Sequence, residues 1–266
     1  MYKYNKELLK NDFGKSAKQY NQSAKLQRIV ANKLSDKIKS NIEDSSTESN
    51  NRVLLDVGCG TGFIASNLSE KDYAENNNLR IIQSDLSDKM CSVASAYGAV
   101  INSDMHLLPF ADKTIDIFSS SLAIQWSNNH KQIHSEIDRV LRDKGRFYIS
   151  TFGSKTLFEL KSTFEEIGDN ASRINNFENY DDIYIKEFIS DKYNVKVTKK
   201  QYITEYDNAT TLMKEIKNIG ANNKTSSRNT IITKNKLIEI NEYYKNNFSN
   251  ENGKVNATWE VVFLIS

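Results

Sequence analysis

Val53-Leu54-Leu55-Asp56-Val57-Gly58-Cys59-Gly60-Thr61-Gly62 is the stretch that decides the fold. VLLDV is short, and its apolar run reads as a strand buried on both faces. The glycines behind it allow a tight turn and a close approach of backbone to a ligand. Residues 62–70 then read as a helix. The alternation repeats outward from this unit. Residues 80–84 form a second strand and 88–97 a second helix, capped by Ser87 and stopped by Gly98. Strands follow at 99–102, 115–119 and 146–152. A helix at 130–143 carries Ile133, Ile137, Val140 and Leu141 on one face, with Gly145 as its stop. Strands alternating with helices predict an α/β fold, a doubly wound and mostly parallel sheet covered on both faces.

The flanks extend this core. Residues 1–45 read as an N-terminal helical cap, with Leu26, Ile29, Val30 and Leu34 on its apolar face. The polar segment NIEDSSTESNN, 41–51, reads as a loop. Past residue 153, Leu157, Leu160, Phe164 and Ile167 share a helical stripe. Residues 170–180 read as a loop, and helices are expected at 180–189, 208–219 and 234–247. Strands at 194–206 and 255–265 bring the sheet to seven, the last one (ATWEVVFLI) closing it. The main domain is expected over 52–266, with a helical insertion around 208–247. Its helix at 208–219 is placed as a lid over the carboxyl edge of the sheet.

Bulk composition narrows the function. The chain has 266 residues, and 36 Lys and Arg against 34 Asp and Glu leave a formal charge of +2, without the basic excess of a nucleic-acid binder. The N-terminus is charged throughout and no long apolar run follows, so no membrane span and a cytoplasmic location are expected. Cys59 and Cys91 are the only cysteines and form no framework, which suits a reducing compartment. The histidines are His106, His130 and His134. His130 and His134 lie four apart, but no third ligand at matching spacing is evident, so no metal is expected.

The chemistry lies at the strand ends. A dinucleotide fingerprint, G-x-G-x-x-G, needs its third glycine at position 63, which is Phe63; here it falls at Gly62. D-x-G-x-G-x-G suits a ligand without a pyrophosphate, packed flat against the turn. Asp85 ends the second strand, where a carboxylate can accept both ribose hydroxyls. In Ser103-Asp104-Met105 an acid follows the third strand. It can accept an adenine amino hydrogen, while a neighbouring backbone N–H donates to the ring. Gln125 and Trp126, after the fourth strand, offer a polar amide and a flat wall. Trp126 reads almost equally well as core filler, and Tyr20 as a helix–sheet packing residue.

The glycine loop and the acids resemble the S-adenosylmethionine site of class I methyltransferases. FGKSAKQY (13–20) with Leu26-Gln27, SSLAIQW (120–126), TLFEL (156–160) and NIGA (218–221) narrow the resemblance to the malonyl-acyl-carrier-protein O-methyltransferases of biotin synthesis (the BioC family), from Phe13 to Ile265. The resemblance implies S-adenosylmethionine held by Asp56, Gly58, Cys59, Gly60, Gly62, Asp85, Leu86, Asp104, Met105 and Ser121. It implies an acceptor site of Tyr20, Gln125, Trp126 and Arg228, the arginine matching a carboxylate's two oxygens. The reaction implied is methylation of the free carboxylate of a malonyl thioester on an acidic carrier protein, by a monomer. A carboxylate is already ionised, so no acid–base catalyst is expected. Lysines such as Lys155, Lys161, Lys199 and Lys200 are candidates for a patch facing the carrier. Other readings remain open: a relative of the arginine hydroxylase that assembles complex I, a methyltransferase of quinones or phenols, or a non-catalytic protein that only binds the cofactor.

Overall fold

The computed structural model describes residues 4–44, 51–70, 73–168, 192–221 and 232–266. Two helices, α1 (Lys6–Ser23) and α2 (Lys25–Asp44), precede β1 (Arg52–Val57). Then come α3 (Phe63–Ser69), α4 (Tyr73–Asn76), β2 (Leu79–Asp85), α5 (Asp88–Ala94) and β3 (Ala99–Asn102). β4 (Ile115–Ser121), α6 (His130–Val140), β5 (Leu141–Phe152) and α7 (Phe158–Glu166) complete the central unit. The chain closes with β6 (Lys196–Tyr206), α8 (Ala209–Asn218), α9 (Lys234–Phe248) and β7 (Val255–Ile265). The helix expected at 180–189 and the loop at 170–180 fall outside the described residues.

The sheet has seven strands in the order β3-β2-β1-β4-β5-β7-β6. β1 pairs in parallel with both β2 and β4, while β7 runs antiparallel between β5 and β6. The chain winds from β1 outward to β3, then crosses back to lay β4 against β1. That reversal opens a crevice at the carboxyl ends of β1 and β4, where open α/β sheets take their ligands. Leu54, Leu55 and Val57 of β1 are buried to 1% exposure or less, as a doubly covered strand requires.

Two departures from the sequence reading have local causes. The N-terminal cap is two helices, because Ala24 (φ −87°, ψ 49°) breaks the run, its N–H still bonding Tyr20 O. The helix expected to reach residue 143 ends at Val140. Leu141 instead pairs with Ile115, and Arg142 Nη1 lies 2.8 Å from each carboxylate oxygen of Asp116. The charge pair and the ladder outcompete three more helical residues.

Buried polar pairs fasten the late elements. Glu159 of α7 accepts the Thr258 N–H at 3.1 Å and its hydroxyl at 2.5 Å, and Thr156 Oγ1 donates to Glu260 O at 3.0 Å. The TLFEL stretch therefore ties α7 to β7, and none of its residues lines the pocket at the crevice. The helix expected as a lid, α8, packs against α1, where a side chain on Gly220 would lie 2.8 Å from Ser16 Oγ. The residues that line the crevice from above come from α1 and α2. Among the described residues no helix is long and apolar enough to cross a membrane.

Candidate cofactor and acceptor site

The glycine loop is shaped by contact with its neighbour. Gly58 has φ +67°, and a Cβ there would lie 2.3 Å from Ala123 Cβ, so only glycine lets the loops after β1 and β4 touch. Gly60 also has positive φ, +57°, but a Cβ there meets nothing within 4 Å. Its side of the loop opens into the pocket. Cys59 N donates to Ser84 O at 3.0 Å, joining the loop to the end of β2.

Three carboxylates stand at the ends of β1, β2 and β3, and all line this pocket. Asp56 is 2% exposed and accepts the Ser119 hydroxyl at 2.9 Å. Burial pushes its carboxyl up to about 7, against the help of Ser119, and the charge of Asp85 adds to the rise. Asp85 accepts the Gly60 N–H at 2.9 Å and the Ser87 N–H at 2.8 Å, one on each oxygen. Burial still lifts it to about 6, because the backbone donors only partly offset desolvation. Asp104 goes the other way. Burial alone would raise it, but hydrogen bonds from His106 and Lys6 outweigh burial and hold it well below the usual carboxylate range. Its Oδ1 takes the His106 N–H (2.9 Å) and faces His106 Nδ1 (2.6 Å), and Oδ2 takes Lys6 Nζ (2.5 Å).

Acids held above their ordinary values want a cation beside them. Such a ligand lowers both carboxyls and expels their protons as it binds. Affinity therefore rises with pH up to about 7 and levels off above it. In the empty protein the sign is reversed for stability. The unfolded chain releases these protons first, so stability falls as pH climbs from about 4 to 7. Calorimetry in buffers of different ionisation enthalpy checks the linkage; binding without proton release near pH 6.5 would show that the ligand's charge does not face Asp56 and Asp85.

The rest of the pocket divides into a wall and a roof. Leu86, Met105 and Ser121, which the resemblance assigns to the cofactor, line it. Trp126 lines it too, and its indole is edge-on to Tyr4 (5.5 Å between ring centres) and Phe13 (5.6 Å). It is both wall and filler. Tyr20 reaches the pocket from α1, with its ring 6.1 Å from that of Phe63, and burial and then Asp85 raise its phenol. Gln125 behaves otherwise. Expected to meet the acceptor, it is 1% exposed, is absent from the pocket lining, and donates its amide to Leu122 O at 2.6 Å. It shapes the turn that carries Trp126. Arg228 lies outside the described residues.

Sequence reasoning missed Lys6, Lys10, Phe13 and His106, which all line the pocket. The first three sit on α1, and no local pattern tells that α1 crosses the sheet's carboxyl edge. The crossing is pinned at both ends: Asn128 exchanges hydrogen bonds with the Tyr4 N–H (2.8 Å) and C=O (2.7 Å), and Thr61 Oγ1 donates to Asn21 at 2.6 Å. His130 and His134 sit on α6. Among the described residues no group of three or more side chains gathers in a way that could hold a metal.

A seven-stranded sheet with one reversed strand, and a glycine loop facing acids at successive strand ends, defines an S-adenosylmethionine-dependent methyltransferase of class I. Residues 55–149 match the family model described as a methyltransferase domain. The solved YcgJ protein of Bacillus subtilis shares the fold, with a TM-score of 0.54 at 16% identity over 85% of this chain and 95% of its own. A malonyl-[acyl-carrier protein] O-methyltransferase of Nitrosospira multiformis is 30% identical, the match covering 97% of this chain and 87% of the relative. The mitochondrial arginine-hydroxylase NDUFAF5 of Rattus norvegicus is 26% identical over 79% of this chain and 62% of the relative. The chain belongs to the malonyl-acyl-carrier-protein O-methyltransferase family.

Proposed function

We propose that this protein transfers a methyl group from S-adenosylmethionine to the free carboxylate of a malonyl thioester carried on acyl-carrier protein, giving the methyl ester used in biotin synthesis. The observation that carries the reading is that, among the described residues, neither the histidine nor the tyrosine lining the pocket is placed to take a proton from an acceptor hydroxyl. Of the three histidines only His106 lines the pocket, and its two ring nitrogens face Asp104 (2.6 Å) and Ser127 (2.7 Å). The phenol of Tyr20 keeps its proton more firmly than usual. A quinol or phenol acceptor needs its hydroxyl proton removed, whereas a carboxylate arrives ionised. The name of the Nitrosospira relative supports the same acceptor.

The residues present fit the cofactor. S-adenosylmethionine is a net cation, and the pocket offers it Asp56 and Asp85, two carboxylates that line it with no cation among their hydrogen-bond partners in the described residues. It supplies an already activated methyl group on sulfur. Asp85 takes the ribose hydroxyls, Asp104 the adenine amino group and the Met105 backbone the ring. Gly58, Cys59 and Gly60 form the bed, and Leu86 and Ser121 the sides; Gly62, expected there too, is absent from the lining and instead packs against Gln83 and Ala94, where a Cβ would not fit. Trp126 and Tyr20 exclude water from the acceptor oxygen and hold it in line, which is the whole of the catalytic task for an ionised nucleophile. Arg228 remains our candidate for the malonyl carboxylate. Residues 1–45 act as a cap on the catalytic domain of 52–266.

Methyl transfer from labelled S-adenosylmethionine to malonyl-acyl-carrier protein, with acetyl-carrier protein as control, tests the reading. Label on the malonyl form alone is expected. Label on neither form, with the cofactor still bound, would shift the reading to the hydroxylase-like relatives or to a binding protein without turnover.

A further inference from the structure

Asp104, His106 and Ser127 form one unbroken hydrogen-bonded chain. His106 Nδ1 lies 2.6 Å from Asp104 Oδ1, and Nε2 lies 2.7 Å from Ser127 Oγ. With Asp104 ionised, Nδ1 carries the proton and Nε2 accepts the Ser127 hydroxyl. Ser127 Oγ in turn accepts the Asn129 N–H at 2.9 Å, and Gln132 Nε2 donates to His106 O at 2.8 Å. Both ring nitrogens are engaged, and the backbone that carries the ring is held as well.

The connectivity is that of an acyl-transfer triad, but the placement is not. Ser127 is 2% exposed and does not line the pocket, so its oxygen meets no acceptor. What the chain joins is the adenine end of the cofactor site to the turn directly after Trp126. Asn128, the next residue in that turn, also anchors the backbone of Tyr4 at the start of the roof.

We infer that His106 is a positioning residue that couples occupancy of the adenine position to the placement of the Trp126 wall. The inference rests on the cofactor assignment above and not on the identity of the acceptor. An amino group arriving at Asp104 shares oxygens already held by Lys6 and His106. A displacement of Oδ1 moves the imidazole, and the imidazole moves Ser127. The chemical requirement on His106 is two nitrogens on opposite sides of one rigid ring, which no amide side chain reproduces at both ends.

The full chain labelled with 5-fluorotryptophan gives two fluorine resonances, from Trp126 and Trp259, and Trp126→Phe assigns them. Adenosine is the probe, since it fills the adenine and ribose positions alone. In the wild type it is expected to shift the Trp126 resonance and leave that of Trp259 in place. His106→Asn keeps an N–H for Asp104 but abandons Ser127, and Ser127→Ala removes the far end of the chain. Ser127→Ala, outside the pocket lining, is expected to bind adenosine within about twofold of wild type by calorimetry, and both variants, each saturated with adenosine, are expected to lose the Trp126 shift, as a severed coupling requires. A merely structural role would lower the melting temperature and leave the ligand-dependent shift intact. A shift that persists in both variants, or none in an adenosine-bound wild type, overturns the coupling alone. Failure of the wild type to bind adenosine removes the cofactor assignment and the coupling with it.

Discussion

Asp85→Ala is expected to weaken S-adenosylmethionine binding by about 1–3 kcal/mol, or roughly five- to 150-fold, the range for losing hydrogen bonds to a charged acceptor. Two losses combine. The ribose hydroxyls lose their acceptor, and the Gly60 and Ser87 N–H groups lose the carboxylate that holds them at 2.9 and 2.8 Å. Asp85→Asn separates them. The amide has one oxygen in place of two and no charge, so one of the two N–H groups faces an NH2. The pH dependence of affinity then flattens, because the titrating group at about 6 has gone and only Asp56 remains. Isothermal calorimetry with S-adenosylmethionine, in the absence of any acceptor, measures both effects. Unchanged affinity in Asp85→Ala would remove Asp85 from the ribose role.

Gly58→Ala is the second large effect, and Gly60→Ala is its matched control. Both positions have positive φ, +67° and +57°, so both substitutions carry the same backbone cost of about 1 kcal/mol. Only at Gly58 does the new methyl lie 2.3 Å from Ala123 Cβ, where the loops after β1 and β4 must separate. The added cost is about 1–3 kcal/mol, as for overpacking elsewhere. Thermal unfolding without ligand should therefore separate the pair by several degrees, with Gly58→Ala the lower. Gly60→Ala should instead keep most of its stability and lose affinity, since its methyl projects into open pocket. Equal melting temperatures would show that the contact with Ala123 is not what holds the two loops.

Much of this site was legible before any tertiary contact was known. Asp56 directly follows Leu55, while Asp85 and Asp104 each stand three residues past an apolar run, and a parallel sheet carries all such ends to one edge. Period and spacing are local quantities, so seven strands and the glycine loop could be read residue by residue. The acceptor side was not legible in the same way. Gln125 and Trp126 are neighbours in sequence, yet one turns inward to Leu122 O and the other faces the pocket. Nothing in the dipeptide chooses between those orientations.

By itself the sequence determined the class of fold, the order of its strands along the chain, and a carboxylate at each of three strand ends. Those follow from hydrophobic period, from glycine at positions of positive φ, and from the short reach of a turn. The tertiary structure alone decided the roof, the state of the acids and the link through His106. α1 lies across the crevice because Tyr4 and Asn128, 124 residues apart, exchange two hydrogen bonds. Asp56 and Asp104 carry the same side chain, but desolvation dominates at the first while Lys6, 98 residues away, and His106 outweigh it at the second. Proton affinity depends on what surrounds a carboxyl in space, and that is settled only when distant parts of the chain have met.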